Sequence, residues 1–150
     1  MDGEGTGATP LVAQMEATMT LANRPVTSML PVDDTDRAKE FYSTVLGLPY
    51  AGADLEGSPV YDLGGGGQLA LLLRPGQQHQ HTALSFKVED VAAELAELEG
   101  RGVRFEDYDL PGLTTVDHIA STGDEQAAWF LDPDGNVLCL HSGRGLSPVS

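Results

Sequence analysis

The sequence predicts an α+β fold: two βαβββ modules forming a curved mixed sheet around a cavity. Three observations predict it. The triplet Val32-Asp33-Asp34 is answered by Val88-Glu89-Asp90, and each copy follows a run of strand composition and precedes helical spacing that stops at glycine. Three or more short strand-type runs come after each helix. The 150 residues suit one domain, yet each half is too small to bury both faces of its own sheet. The two halves are therefore expected to share a curved cavity between them.

The elements follow in order. Residues 1–24 are rich in Gly, Thr and Ala, with a weak helical pattern over 11–21 that puts Leu11, Met15, Thr18 and Met19 on one face. They are expected to lie outside the core as an N-terminal extension. The domain spans 25–141, its modules covering about 25–75 and 81–141. Residues 26–32 read as a strand. Asp34 or Thr35 then caps a helix running to about residue 46, because a short side-chain oxygen accepts from the free N–H groups of the first turn. Ala38, Phe41, Tyr42 and Val45 form its apolar stripe, and Gly47 stops it. Strands are expected at 49–51, 59–63 and 68–74, with the glycines at 64–67 connecting the last two. The second module repeats this plan. Residues 82–88 read as a strand, Glu89-Asp90 as the cap, Val91, Leu95 and Leu98 as the helix, and Gly100 and Gly102 as the stop. Further strands are expected at 103–108, 115–120, 126–131 and 137–141. Between the last two, Asp132-Pro133-Asp134-Gly135-Asn136 reads as a tight turn, since proline fixes φ and Gly-Asn accepts positive φ. Residues 142–150 read as a C-terminal tail.

Charge and composition remove several function classes. With 23 acidic against 8 basic side chains, the formal charge of −15 repels phosphate backbones and anionic lipids, which argues against nucleic acid as a partner. The longest strongly apolar run, 69–73, falls far short of the roughly 18–20 residues a membrane helix needs, so no membrane span is expected. The single cysteine, Cys139, has no intramolecular disulfide partner, and no basic stretch precedes an apolar run near the N-terminus. Both features favour a reducing, cytoplasmic setting.

A family resemblance rests on particular residues. In the first module they are Leu30-Pro31-Val32-Asp33-Asp34-Thr35-Asp36-Arg37-Ala38, then Phe41-Tyr42 and Val45-Leu46-Gly47-Leu48. In the second they are His81-Thr82-Ala83-Leu84-Ser85-Phe86, Val88-Glu89-Asp90, Gly102-Val103 and the stretch from Ala128-Trp129 to Asn136. Together these cover nearly all of 25–141, and the sequence resembles the vicinal oxygen chelate superfamily of glyoxalase I, bleomycin-resistance proteins and extradiol dioxygenases. The resemblance implies paired βαβββ modules, a cupped sheet around a small-molecule cavity, and a homodimer. It does not imply one activity. Enzymes of the family hold a divalent metal through inward-facing His, Glu or Gln residues, whereas bleomycin-resistance members sequester a drug without metal.

The His that opens the first strand of each module in metal-binding relatives corresponds to Thr27 and, by the same count, to Ala83; an alternative alignment puts His81 there. Strand side chains repeat every two residues, so His81 and Ala83 are expected on one face. The glutamate of the last strand corresponds to Cys139, and the matching strand of the first module, 69–73, is wholly apolar. A set of about three strong ligands is missing, so no cofactor is predicted. A substitute Zn²⁺ set of His81, Cys139 and His141 is the alternative. Its plainer counterpart makes Cys139 a small buried hydrophobe and the two histidines strand-end residues.

Other residues offer contacts or chemistry. His118 beside Asp117 is, with His81, a weak candidate for acid–base catalysis; the plainer reading is a solvent-facing imidazole. Tyr108 sits in an acidic connection expected to cross the cavity mouth. Trp129 and Phe130 alternate, so one of them with Tyr61, Leu71 and Leu73 would make a stacking wall for a planar ligand, or else plain core. The candidate cavity lining is thus Thr27, Tyr61, Leu71, His81, Ala83, Tyr108, Trp129, Cys139 and His141. The favoured reading is a small-molecule binder of drug-resistance or sequestration type, homodimeric, attracting a cationic ligand through its acidic surface. The alternative is a lyase, isomerase or dioxygenase of the same fold.

Overall fold

Thr27–Val32 forms β1, and the Asp34 side chain accepts from Arg37 N at 3.1 Å to start helix α1, Thr35–Glu40. This is the cap expected from the sequence. The helix continues through Phe41–Val45 as a wider π-type turn closed by Leu46 N donating to Phe41 O at 2.9 Å, and ends at Gly47 with φ +75. Strands Tyr50–Ala53 (β2), Pro59–Asp62 (β3) and Gln68–Leu73 (β4) complete the first module. The order across its sheet is β1-β4-β3-β2, with β1 parallel to β4. This computed structural model describes residues 20–143. Most of the expected extension, including the helical pattern over 11–21, and nearly all of the tail lie outside the described residues; Thr20–Asn23 forms one 3₁₀ turn.

The second module repeats this arrangement. Thr82–Lys87 (β5) leads to helix α2, Val91–Gly100, where the Asp90 side chain accepts from Ala93 N at 3.1 Å. Two expectations need correction here. Residues 103–108 do not form a strand of the main sheet; only Phe105 bridges Phe130, with Glu106 N donating to Trp129 O. The chain then leaves in a small hairpin of Asp109–Leu110 (β6) and Leu113–Thr114 (β7), turned at Pro111-Gly112. Of the strand expected at 115–120 only Ala120 is in one, because Asp117 and His118 take positive φ and fold Val116 back onto Ile119. The last three strands are Ala120–Thr122 (β8), Glu125–Leu131 (β9) and Val137–His141 (β10). They give the order β5-β10-β9-β8, with β5 parallel to β10.

The inner faces of both sheets meet in one apolar core. Leu30, Val32, Tyr61, Leu69 and Leu71 come from the first sheet, and Ala128, Phe130, Leu138 and Leu140 from the second. Tyr42 and Phe41 fill between them from the α1 side, with Val91, Leu95 and Leu98 from α2. The two four-stranded sheets stay separate, and each turns its other face away from this core. The 132–136 turn does more than connect strands. Tyr42 Oη donates to Asp132 Oδ2 at 2.6 Å, Asp134 Oδ1 accepts from the N–H groups of Asp33 and Asp34 and from Arg37, and Asn136 Nδ2 donates to Pro31 O. Burial and the Asp132 carboxylate push the Tyr42 phenol far above its ordinary range, so it stays a donor. No helix among the described residues is long and apolar enough to cross a membrane.

Candidate functional site

Register and burial sort the strands of the second sheet into two faces. Leu84, Phe86, Ala128, Phe130, Leu138 and Leu140 pack inward. Between them, Ser85 and Trp129 sit opposite Cys139, and Ala127 opposite His141, on the outward side. The Trp129 indole N–H donates to Thr82 Oγ1 at 3.2 Å, and Ser85 Oγ and His141 Nδ1 share a hydrogen bond. Tyr108 packs edge-on to Trp129 with ring centroids 5.5 Å apart. Burial, then the neighbouring Glu106 and Cys139, raises the Tyr108 phenol, keeping it a neutral donor at physiological pH. A cleft of about 160 Å³ runs beside Trp129, lined also by Leu113, Ala120, Glu125, Ala127 and His141. This outer face combines an aromatic corner, a carboxylate and a strip of small polar groups.

The structure brings together four of the residues singled out from sequence: Tyr108, Trp129, Cys139 and His141. It places the others elsewhere. Tyr61 and Leu71 are fully buried on the inner side of the first sheet, so they build core, not an outer wall. Tyr61 instead shares a hydrogen bond with Ser43 on the α1 side. Thr27 lies exposed on β1 of the first sheet, whose outer face carries Met29 between two grooves. His81 is exposed before β5 and stacks on His79 at 5.0 Å. A register shift next to it, Val137 pairing Thr82 and Leu138 pairing Leu84, leaves Ala83 exposed without a partner in the ladder. That bulge breaks the two-residue repeat on which the facing of His81 and Ala83 was counted. His118 stands away from the cleft, its Nδ1 3.0 Å from Asp107 and its Nε2 3.6 Å from Glu99.

Ser85 and Thr82 were missed as site residues. The alternation Leu84-Ser85-Phe86-Lys87 carries the signal, since two inward apolar residues imply an outward serine. What the sequence does not show is that β5 lies parallel beside β10, which sets Ser85 against Cys139 and within reach of His141.

The donors do not fit the metal site that the resemblance implies. Among the described residues no three of His, Cys, Asp and Glu gather as a cage. Burial pushes the Cys139 thiol up, only partly offset by hydrogen bonding, which adds to the cost of the thiolate a metal would need. The His141 Nδ1 is already engaged with Ser85. A larger groove of about 520 Å³ at the seam of the modules, lined by Phe41, Arg104, Glu106 and Asp132 among others, holds none of the candidate residues.

Comparison with known proteins bears on this arrangement. A family model, Glyoxalase/Bleomycin resistance protein/Dioxygenase superfamily, matches residues 24–140. A glyoxalase/bleomycin resistance protein from Streptomyces sp. CB03234 superposes with a TM-score of 0.57 at 27% identity, over 78% of this chain and 98% of that one. TnmS3, an antibiotic-binding protein from the same organism, gives 0.62 at 26% identity, over 80% and 95%. Lactoylglutathione lyase from Agrobacterium tumefaciens gives 0.62 at 19% identity, over 83% and 97%, a likeness of fold alone. No curated protein matches the chain.

Proposed function

The chain belongs to the Glyoxalase/Bleomycin resistance protein/Dioxygenase superfamily, and we propose that within it this protein binds a small planar aromatic molecule on the outer face of its second sheet, without using a metal. The observation that carries this reading is the corner made by Tyr108 and Trp129 beside the polar strip of Ser85 and His141. An aromatic corner offers one face for stacking and one edge for contact, and the polar strip can meet a heteroatom on the ligand's rim. Glu125 in the cleft and the net charge of −15 favour a cationic ligand. The antibiotic-binding neighbour at 26% identity supports a role in drug resistance or sequestration.

The cleft of about 160 Å³ is smaller than the roughly 300–1,000 Å³ of sites that enclose a drug-sized ligand, so one chain supplies part of the wall. A homodimer would supply the remainder. The edges of β1 and β5 that have no neighbouring strand among the described residues, together with Met29 exposed on the outer face of the first sheet, give a second copy something to cover. A second reading, acid–base catalysis on the same face, is favoured by the Ser85–His141 hydrogen bond, which places a hydroxyl against an imidazole.

The test is elemental analysis of untagged protein before and after incubation with Zn²⁺, Ni²⁺, Fe²⁺ and Mn²⁺, followed by a screen of planar aromatic cations read through Trp129 fluorescence. The expected result is no tightly held ion and saturable quenching by at least one cation. About one ion per chain, lost on Cys139→Ala or His141→Ala, would overturn the metal-free reading. Turnover abolished by Ser85→Ala in a folded protein would replace binding with catalysis.

A further inference from the structure

Along β9, Glu125, Ala127 and Trp129 share the outer face of the second sheet, and Ala127 pairs in register with Ala120 on β8 and with His141 on β10. The two alanines carry only methyl groups, so they make a floor between taller neighbours: Trp129 at one end, Glu125 at the other, His141 at one side. Leu113, from the β6–β7 hairpin, lines the same space, which is the cleft of about 160 Å³. At about 30 Å³ for each water-sized group, it has room for roughly five of them. That is too little for a fused ring system and enough for a short flexible chain.

Charge on this face is divided. Lys87 pairs with His141 from β5, on the far side of β10, whereas Glu125 stands on β9. Two strand spacings separate them, about 9 Å or more, so the floor of the cleft adjoins the negative end. Glu125 is also closely backed. Ser142 N donates to Gln126 O at 2.9 Å, which lays Gly143 against it. A Cβ at Gly143 would stand 2.8 Å from Glu125 Cγ and 3.2 Å from its Cα, and the backbone there has φ +78, which favours glycine. A larger residue at 143 would push the Glu125 side chain from its place.

We propose that this cleft is a subsite for a flexible arm ending in an ammonium group: the ligand's ring lies against Trp129, the arm crosses Ala127 and Ala120, and Glu125, positioned by Gly143, meets the charge. The proposal rests on the reading that a planar ring stacks on this face, and adds that the ligand carries its charge off the ring. Four residues of strand rise about 13 Å between Trp129 and Glu125. A charge fixed within a ring stacked on the indole therefore lies out of contact with the carboxylate, and one carried on a chain reaches it. The ligand class is thus an arylalkylamine. A carboxylate partly walled off from water by Trp129 and Leu113 also distinguishes an ammonium from a hydroxyl of the same size, since only the first adds charge to the hydrogen bond.

The experiment is calorimetric titration of the full chain with naphthylbutylamine and with naphthylbutanol, which share ring and chain but differ in charge. The expected result is about fivefold tighter binding of the amine, the advantage of a half-exposed ion pair. Glu125→Gln abolishes that preference and Gly143→Ala reduces it. Glu40→Gln, which removes an exposed acid on α1, keeps it. Ala127→Val raises the floor and weakens both butyl compounds more than it weakens naphthylmethanol. Equal affinities for amine and alcohol, both lost in Trp129→Ala, would overturn the arm subsite and leave the stacking face standing. A preference that survives Glu125→Gln, or one just as large between naphthylmethylamine and naphthylmethanol, would also overturn the subsite. Binding of neither butyl compound, or binding untouched by Trp129→Ala, would remove the stacking face and the subsite with it.

Discussion

The two sheets agree in strand order, in pairing sense and in the aspartate that caps each helix, but their outer faces differ. The first shows Thr27, Met29 and Leu72 beside shallow grooves. The second shows Trp129 with Tyr108 against it, and Ser85 bonded to His141. Their inner faces are alike, apolar and packed into one core. The repeated architecture is therefore carried by inward residues, and whatever chemistry the protein performs is carried by outward ones, which the fold leaves free to vary. A connection of unusual length makes the second face distinctive, since the segment carrying Tyr108 and the 109–114 hairpin lies between α2 and β8, where the first module passes from the end of its helix to β2 in a few residues.

The largest effect should come from confusing the two kinds of face. Leu71→Ala empties a fully buried inward position and is expected to cost about 2–5 kcal/mol in urea or thermal unfolding. Affinity for an aromatic ligand should be unchanged in the fraction that stays folded. Trp129→Ala should do the reverse, with affinity falling about tenfold or more (about 1.4 kcal/mol or above) and the fold kept. Met29→Ala, its counterpart on the first sheet, should change the affinity of a single chain less than about twofold; equal losses in a titration would mean that both faces bind. Ser85→Ala removes one hydrogen bond and is expected to weaken binding by about 0.5–1.5 kcal/mol in calorimetry, a loss that Ser85→Thr partly restores.

The smallest effect is a pH dependence. Burial raises the Cys139 thiol above its ordinary value of 9.0, so the folded chain holds that proton more tightly than the unfolded one. Its contribution is unchanged well below that value, and stability declines as pH rises through and beyond it. Unfolding midpoints measured on either side of that value should show a shallower alkaline decline in Cys139→Ala than in the wild type. An identical decline would mean that the thiol does not contribute.

Much of this was legible in the sequence, for reasons that differ between elements. The caps at Asp34 and Asp90, the stop at Gly47 and the strand at 137–141 stand where local rules put them. Those signals lie within a few residues of what they specify. Stretches 103–108 and 115–119 have strand composition but form a single bridge at Phe105 and a tight turn, because pairing along β9 is decided by long-range contacts. For Tyr61 and Leu71, expected at the cavity and found in the core, alternation separates two faces without saying which is inward. Cys139 and His141 were placed together by strand period alone, and they do share the outer face. Their partner Ser85 needed the parallel pairing of β5 with β10. Locally, 132–136 carries only the signal of a turn, since the partners it clamps in β1 and around α1 lie about a hundred residues away in the chain.

The most direct measurement is calorimetric titration of chelator-treated protein with a planar aromatic cation such as ethidium, beside the same protein carrying Trp129→Ala. The account predicts saturable binding by the metal-stripped wild type and its loss in the variant, with thermal unfolding showing that the variant stays folded. Binding that appears only when a divalent metal is restored, or that survives Trp129→Ala unchanged, would contradict it.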